Sequence, residues 1–133
     1  DYEEGTWNPT IVGSSGASGQ SYNIQNGTYV KVGSFIHATF DVQLSTMGTL
    51  SGTYVVIGGL PFSGKSSNLG GTALITYVAG VTSSGLDFPI SAYISGGQIY
   101  LMETGQAADY ILISESHITN STRFIGSIFM QEA

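Results

Sequence analysis

The sequence predicts an all-β fold: an antiparallel β-sandwich of jelly-roll type, with about ten short strands. Three observations predict it. Residues 36–44 alternate without a break, with Ile36, Ala38, Phe40, Val42 and Leu44 on one side and His37, Thr39, Asp41 and Gln43 on the other. That is the period of a strand with one buried face. No stretch has helical periodicity beyond a turn or two. The 19 glycines in 133 residues, together with Ser, Thr and Asn, suit many short strands joined by tight turns. The length is that of one domain able to bury a core.

Residues 1–10 read as an arm or linker and 11–133 as the sandwich. Asp1, Glu3 and Glu4 form a solvated acidic cluster, Trp7 is a packing anchor, and Trp7 and Pro9 stop any helix. Ile11 and Val12 begin a short strand. Gly13 to Gln20 is rich in Ser and Gly and predicts a mobile loop. Tyr22 to Ile24 predicts a short edge strand. Residues 27–44 predict the central hairpin. A two-residue loop at Gly33-Ser34 would set Lys31 opposite Ile36, a charge on the apolar face. A three-residue loop from Gly33 to Phe35 sets Val32 opposite Ile36 and Val30 opposite Ala38. Register follows the hydrophobic face, so the longer loop is expected.

Residues 46–52 predict a turn, and 53–57 a strand buried on both faces. Pro61 ends its pairing. Further strands are expected at 73–79, at 86–94 with Pro89 as an edge or bulge, at 99–103, at 110–113 and at 123–130. The last is apolar on both faces, as a strand between core and subunit contact would be. Residues 90–103 predict a hairpin turning at Gly96-Gly97. It pairs Ile94 with Ile99, Tyr93 with Tyr100, Ala92 with Leu101 and Ser91 with Met102. Ile90, Ala92, Ile94, Ile99 and Leu101 then face the core. Tyr93 and Tyr100, flanked by Ser91 and Gln98, are the candidate ligand-binding residues. Opposed tyrosines offer a flat apolar surface with polar tips, on which sugars stack. The same surface would serve equally well as a contact with a neighbouring subunit.

Composition narrows the partners. Charged residues are 9% of the chain, against about 25% in ordinary globular proteins. Net charge is −6, and the only cations are Lys31, Lys65 and Arg123. Phosphate backbones and anionic membrane surfaces need clustered cations, so neither is an expected partner. The apolar runs fall far short of a membrane span. With no cysteine, the chain suits folding in a reducing cytoplasm and later work outside it.

Catalytic motifs are weak. Gly59-Leu-Pro-Phe-Ser-Gly-Lys65-Ser66 satisfies the phosphate-binding P-loop pattern. That chemistry needs a helix after Lys65, and Asn68, Gly70 and Gly71 disfavour one. No nucleotide is expected. Asp41, Asp87, Glu103, Asp109 and Glu115 are the carboxylates a glycosidase could use, but no spacing marks a pair. His37 and His117 are isolated, so neither a metal nor another cofactor is expected.

Four stretches carry a resemblance: Asp1-Tyr-Glu-Glu-Gly-Thr-Trp-Asn-Pro-Thr10, Gly27-x-Tyr29-x-Lys31-x-Gly33, Ile57-Gly-Gly-Leu-Pro-Phe62 and Phe124-Ile-Gly-Ser-Ile128. In that order they resemble C-terminal modules of bacteriophage tail fibres and tailspikes. The resemblance implies a homotrimer that forms part of the virion tail and recognises a bacterial cell-surface glycan, or else only caps the fibre. It also implies a longer parent chain with an upstream fibre or β-helix. In such tailspikes the depolymerase activity belongs to the β-helix, so this module is expected to be no enzyme.

Overall fold

The computed structural model describes residues 1–65, 71–82, 90–104 and 110–133. Among these, the strands are β1 (Tyr2–Trp7), β2 (Thr10–Gly13), β3 (Gly16–Ser18), β4 (Ser21–Val32), β5 (Phe35–Thr46), β6 (Thr49–Ser51), β7 (Val55–Gly58), β8 (Gly71–Ala79), β9 (Ile90–Ser95), β10 (Gln98–Thr104), β11 (Tyr110–Leu112) and β12 (Arg123–Gln131). One 3₁₀ turn, Glu115–His117, precedes β12. The strands form one antiparallel sheet in the order β1-β4-β5-β12-β8-β9-β10-β7-β2-β3-β6, with β11 on β10. The all-β antiparallel class is therefore as expected.

The sheet curls far enough for strands near its two ends to touch. β2 and β4 lie far apart along the path. Even so, the Ile11 N–H donates to the Tyr22 hydroxyl at 3.0 Å, and Gln25 Nε2 donates to the Pro9 carbonyl at 3.0 Å. Curling puts one face inside. Ile36, Ala38, Phe40, Val42 and Leu44 of β5 are all buried there, as their alternation predicts. They share one core with Ile11 of β2, Ile57 of β7, Ile99 and Leu101 of β10, and Phe124, Ile128 and Met130 of β12.

Three glycines on this inner face explain why short motifs recur around aromatic residues. Gly5 lies opposite Tyr29, Gly27 opposite Trp7, and Gly126 opposite Phe40. In each case the ring lies where a Cβ would be. A methyl on Gly27 would sit 2.5 Å from Trp7 Nε1, and one on Gly126 would sit 2.7 Å from Phe40 Cζ. Trp7 is buried, donates its indole N–H to the Thr39 carbonyl at 3.1 Å, and meets Phe40 edge-on. Three of the four stretches, those at residues 1–10, 27–33 and 124–128, thus take part in glycine–ring pairs laid across neighbouring strands.

Several expectations need correction. The β4–β5 hairpin turns through two residues, Gly33 and Ser34: Val32 faces Phe35 and Lys31 faces Ile36. The charge opposite Ile36 is tolerated because Lys31 Nζ bonds Glu132 Oε1 at 2.8 Å and lies 5.5 Å from the centre of the Phe62 ring. The aliphatic stem covers apolar surface while the ammonium stays paired. Residues 13–20 are no open loop, since Gly16–Ser18 forms β3 between β2 and β6. Tyr22–Ile24 is no separate strand. It belongs to the twelve-residue β4, bulged near Tyr22, whose residues 27–32 pair with both β1 and β5 while residues 21–26 pair with β5 alone and so lie at an edge, as expected. The turn expected at 46–52 contains β6. The stretch read as an arm forms β1 along β4. Residues 86–89, including Pro89, lie outside the described residues, and the strand there is described from Ile90.

Candidate functional site

The outer face of the sheet is unusual in what it leaves uncovered. Tyr2, Val30, Val32, Phe35, Leu74, Tyr77 and Phe129 are 36% to 63% exposed. All seven belong to the outward register of β1, β4, β5, β12 and β8. Ile111 of β11 is the one other exposed large hydrophobic side chain among the described residues. Five of the seven crowd the end of the sheet beside the Gly33-Ser34 turn. Leu74 and Tyr77 stand at the β8 side.

One in-register row runs around the exterior. Val30 faces His37, His37 faces Phe129, Phe129 faces Thr72, Thr72 faces Tyr93 and Tyr93 faces Tyr100. Rings that meet in this row stack. The His37 and Phe129 centroids are 4.8 Å apart at 21°, and those of Tyr93 and Tyr100 are 5.0 Å apart at 6°. The hairpin at 90–103 has the expected register, from Ile94 with Ile99 to Ser91 with Met102. Tyr100 Oη reaches Gln98 Oε1 at 3.4 Å, and Ser91 lies one step along the same outward face. Tyr54, which sequence reasoning assigned to a buried strand, joins the pair with its ring 5.4 Å from that of Tyr100. Burial, and after it the nearby Tyr54 hydroxyl, pushes the Tyr100 phenol above its usual pKa.

Next to this aromatic row the side chains become short and polar. Thr6, Thr28, Thr39 and Ser127 follow one another across β1, β4, β5 and β12. Thr28 Oγ1 and Thr39 Oγ1 are 2.7 Å apart. A depression of about 290 Å³ opens here, lined in part by Asn26, Thr28, Thr39, Asp41, Thr76 and Ser127. Two more, of about 390 and 400 Å³, continue it over β1 and β4 and share Thr6 and Thr28 with each other. Arg123 borders it, bonding Asp41 through Nε at 3.0 Å and Nη2 at 2.8 Å, with its guanidinium 5.5 Å from the centre of the Tyr77 ring. This trough went unseen in the sequence because each of its hydroxyls comes from a different strand.

The other chemical candidates are placed as follows. Asp41 is held by Arg123, and Glu115 is exposed on the 3₁₀ turn. Glu103 is buried, with Oε2 lacking a hydrogen-bond partner among the described residues. Asp87 and Asp109 lie outside the described residues. His37 is an exposed strand residue. His117 is buried, and its Nδ1 accepts the Ser114 N–H at 3.0 Å. Among the described residues no three His, Asp or Glu side chains are placed to hold a metal ion. In the P-loop-like stretch the Gly64 N–H donates to the Gly96 carbonyl at 2.8 Å and the Lys65 N–H to the Gln131 carbonyl at 3.2 Å. Ser66 lies outside the described residues. No described helix is long and apolar enough to cross a membrane.

No protein-family model matches the chain, and no curated protein matches it either. Among solved structures, its fold is similar to that of the Dettilon tailspike protein (gp208), with a TM-score of 0.73 and 22% identity. The likeness covers 99% of this chain and 24% of the tailspike chain.

Proposed function

We propose that this chain is a non-enzymatic module of a phage tail fibre or tailspike, at the C-terminal end of a longer parent, that trimerises and recognises polysaccharide on a bacterial surface. The fold shared with a tailspike supports the setting, and the curl of the sheet suits a sandwich of jelly-roll type. The observation that carries the reading is the gathering of exposed apolar side chains on one outer face. Contiguous apolar surface of this kind marks an interaction site, and closed symmetry is the usual way to cover it with copies of the same chain. Tyr2, Val30, Val32, Phe35 and Phe129, beside the Gly33-Ser34 turn, are the subunit contact. Two parts of the outer face are then left to receive the receptor glycan: the Tyr93–Tyr100 pair with Ser91, Gln98 and Tyr54 around it, and the polar series Thr6, Thr28, Thr39 and Ser127. The apolar end would equally support a module that only trimerises and caps a fibre, with no ligand of its own. In neither case does the module use a metal, a nucleotide, nucleic acid or a membrane.

Light scattering tests the assembly. The 133-residue chain should run as a trimer at micromolar concentration. Val32→Ser/Phe35→Ser should run as a monomer with an unchanged far-UV spectrum. A wild-type chain that stays monomeric at every concentration overturns the reading.

A further inference from the structure

We infer that the glycan lies in the hydroxyl trough over β1, β4, β5 and β12, and that it is an uncharged polysaccharide segment. The inference rests on the receptor-binding reading above and chooses the second of its two candidate sites over the tyrosine pair. The floor of the trough is the in-register series Thr6, Thr28, Thr39 and Ser127. Each hydroxyl both donates and accepts, which is what a sugar hydroxyl requires of its partner. Four strands at the usual spacing give a hydroxyl floor about 14 Å long, which the exposed Leu74 of β8 continues as an apolar end. That is enough for a short oligosaccharide lying across the strands.

The walls are as suitable as the floor. Asn26 and Asp41, opposite each other on β4 and β5, stand along one side, an amide and a carboxylate beside a bed of hydroxyls. Tyr77, braced by Arg123, closes the β8 end. The tyrosine pair offers less. Tyr93 and Tyr100 stack on each other at 6°, so each covers a ring face that a sugar would otherwise use. The three depressions described above all open on the trough side.

Charge selects the class of glycan. Arg123 is the cation bordering the trough, and both of its described bonds go to Asp41. Glu4 stands at the far end, exposed. An acidic polysaccharide would therefore meet carboxylates and an already neutralised guanidinium. A neutral one meets hydroxyls, an amide at Asn26 and the carboxylate of Asp41, which is a strong acceptor for sugar hydroxyls.

Binding of purified neutral O-polysaccharides and acidic capsular polysaccharides, followed by biolayer interferometry, tests the inference. The comparison uses wild type, Thr28→Val/Thr39→Val and Tyr93→Ala/Tyr100→Ala, with light scattering on each. Valine keeps the β-branched shape and removes the hydroxyls. Wild type should bind a neutral polysaccharide. The threonine variant should stay trimeric and bind about tenfold or more weakly. The tyrosine variant should keep near-wild-type affinity. Wild-type affinity in the threonine variant, with loss in the tyrosine variant, overturns the trough and leaves the receptor-binding reading standing. Binding of acidic polysaccharides alone overturns the charge argument. Binding of none of them overturns both readings.

Discussion

Aromatic residues meet the neighbouring strand in two ways here, and the residue opposite decides which. Inside, Trp7, Tyr29 and Phe40 each face a glycine, and their rings lie over the bare backbone. Outside, His37 faces Phe129 and Tyr93 faces Tyr100, and these rings stand and stack on each other. A ring laid over glycine leaves no room for change on either strand. Stacked rings at the surface can separate without opening a cavity. The inner pairs therefore specify the fold, and the outer ones are free to serve contact and binding.

The comparison makes its largest prediction at Phe40. Phe40→Ala should cost about 3–5 kcal/mol in chemical denaturation, because the ring is buried and its site beside Gly126 cannot collapse. An unchanged denaturation midpoint would break the inner half of the comparison. Gly126→Ala comes next. Its methyl would lie 2.5 Å from the Leu74 carbonyl oxygen and 2.7 Å from Phe40 Cζ, and such overpacking costs about 1–3 kcal/mol. With Phe40 also changed to Ala, the ring clash vanishes while the carbonyl clash stays. The two losses should then fall short of additivity by about 0.5 kcal/mol or more. Strict additivity would mean that the pair is not a unit. The smallest effect is outside. Tyr93→Ala should cost about 0.2–1 kcal/mol, the usual worth of a cross-strand surface pair. A loss as large as that of Phe40→Ala would place the outer pair in the core and erase the contrast.

What the sequence made legible follows the same division. The face of residues 36–44 and the register of residues 90–103 could be read because their signals are local: strict alternation in one, and a two-glycine turn in the other. The register of β4 on β5 was misjudged because its cause is remote. Lys31 opposite Ile36 reads as a fault until Phe62 and Glu132 arrive from later in the chain to take the stem and the charge. β3 and β6 were hidden because Gly- and Ser-rich segments carry no hydrophobic period, and they pair mainly with each other. The tyrosine pair was visible as a hairpin. The trough required the order of β1, β4, β5 and β12, which no local pattern states.

The Gly33-Ser34 turn has a topological consequence. The Gly33 N–H donates to the Asp1 carbonyl at 2.9 Å, and the Glu132 N–H to the Ser34 carbonyl at 2.7 Å. Asp1 and Glu132, the first residue and the last but one, thus bond to neighbours whose Cα atoms are about 3.8 Å apart. A short flexible bridge would close the chain into a ring, and new ends could be opened at a surface loop elsewhere. By the same geometry, the whole unit can be spliced into a loop of another protein, entering and leaving at one point without stretching its host.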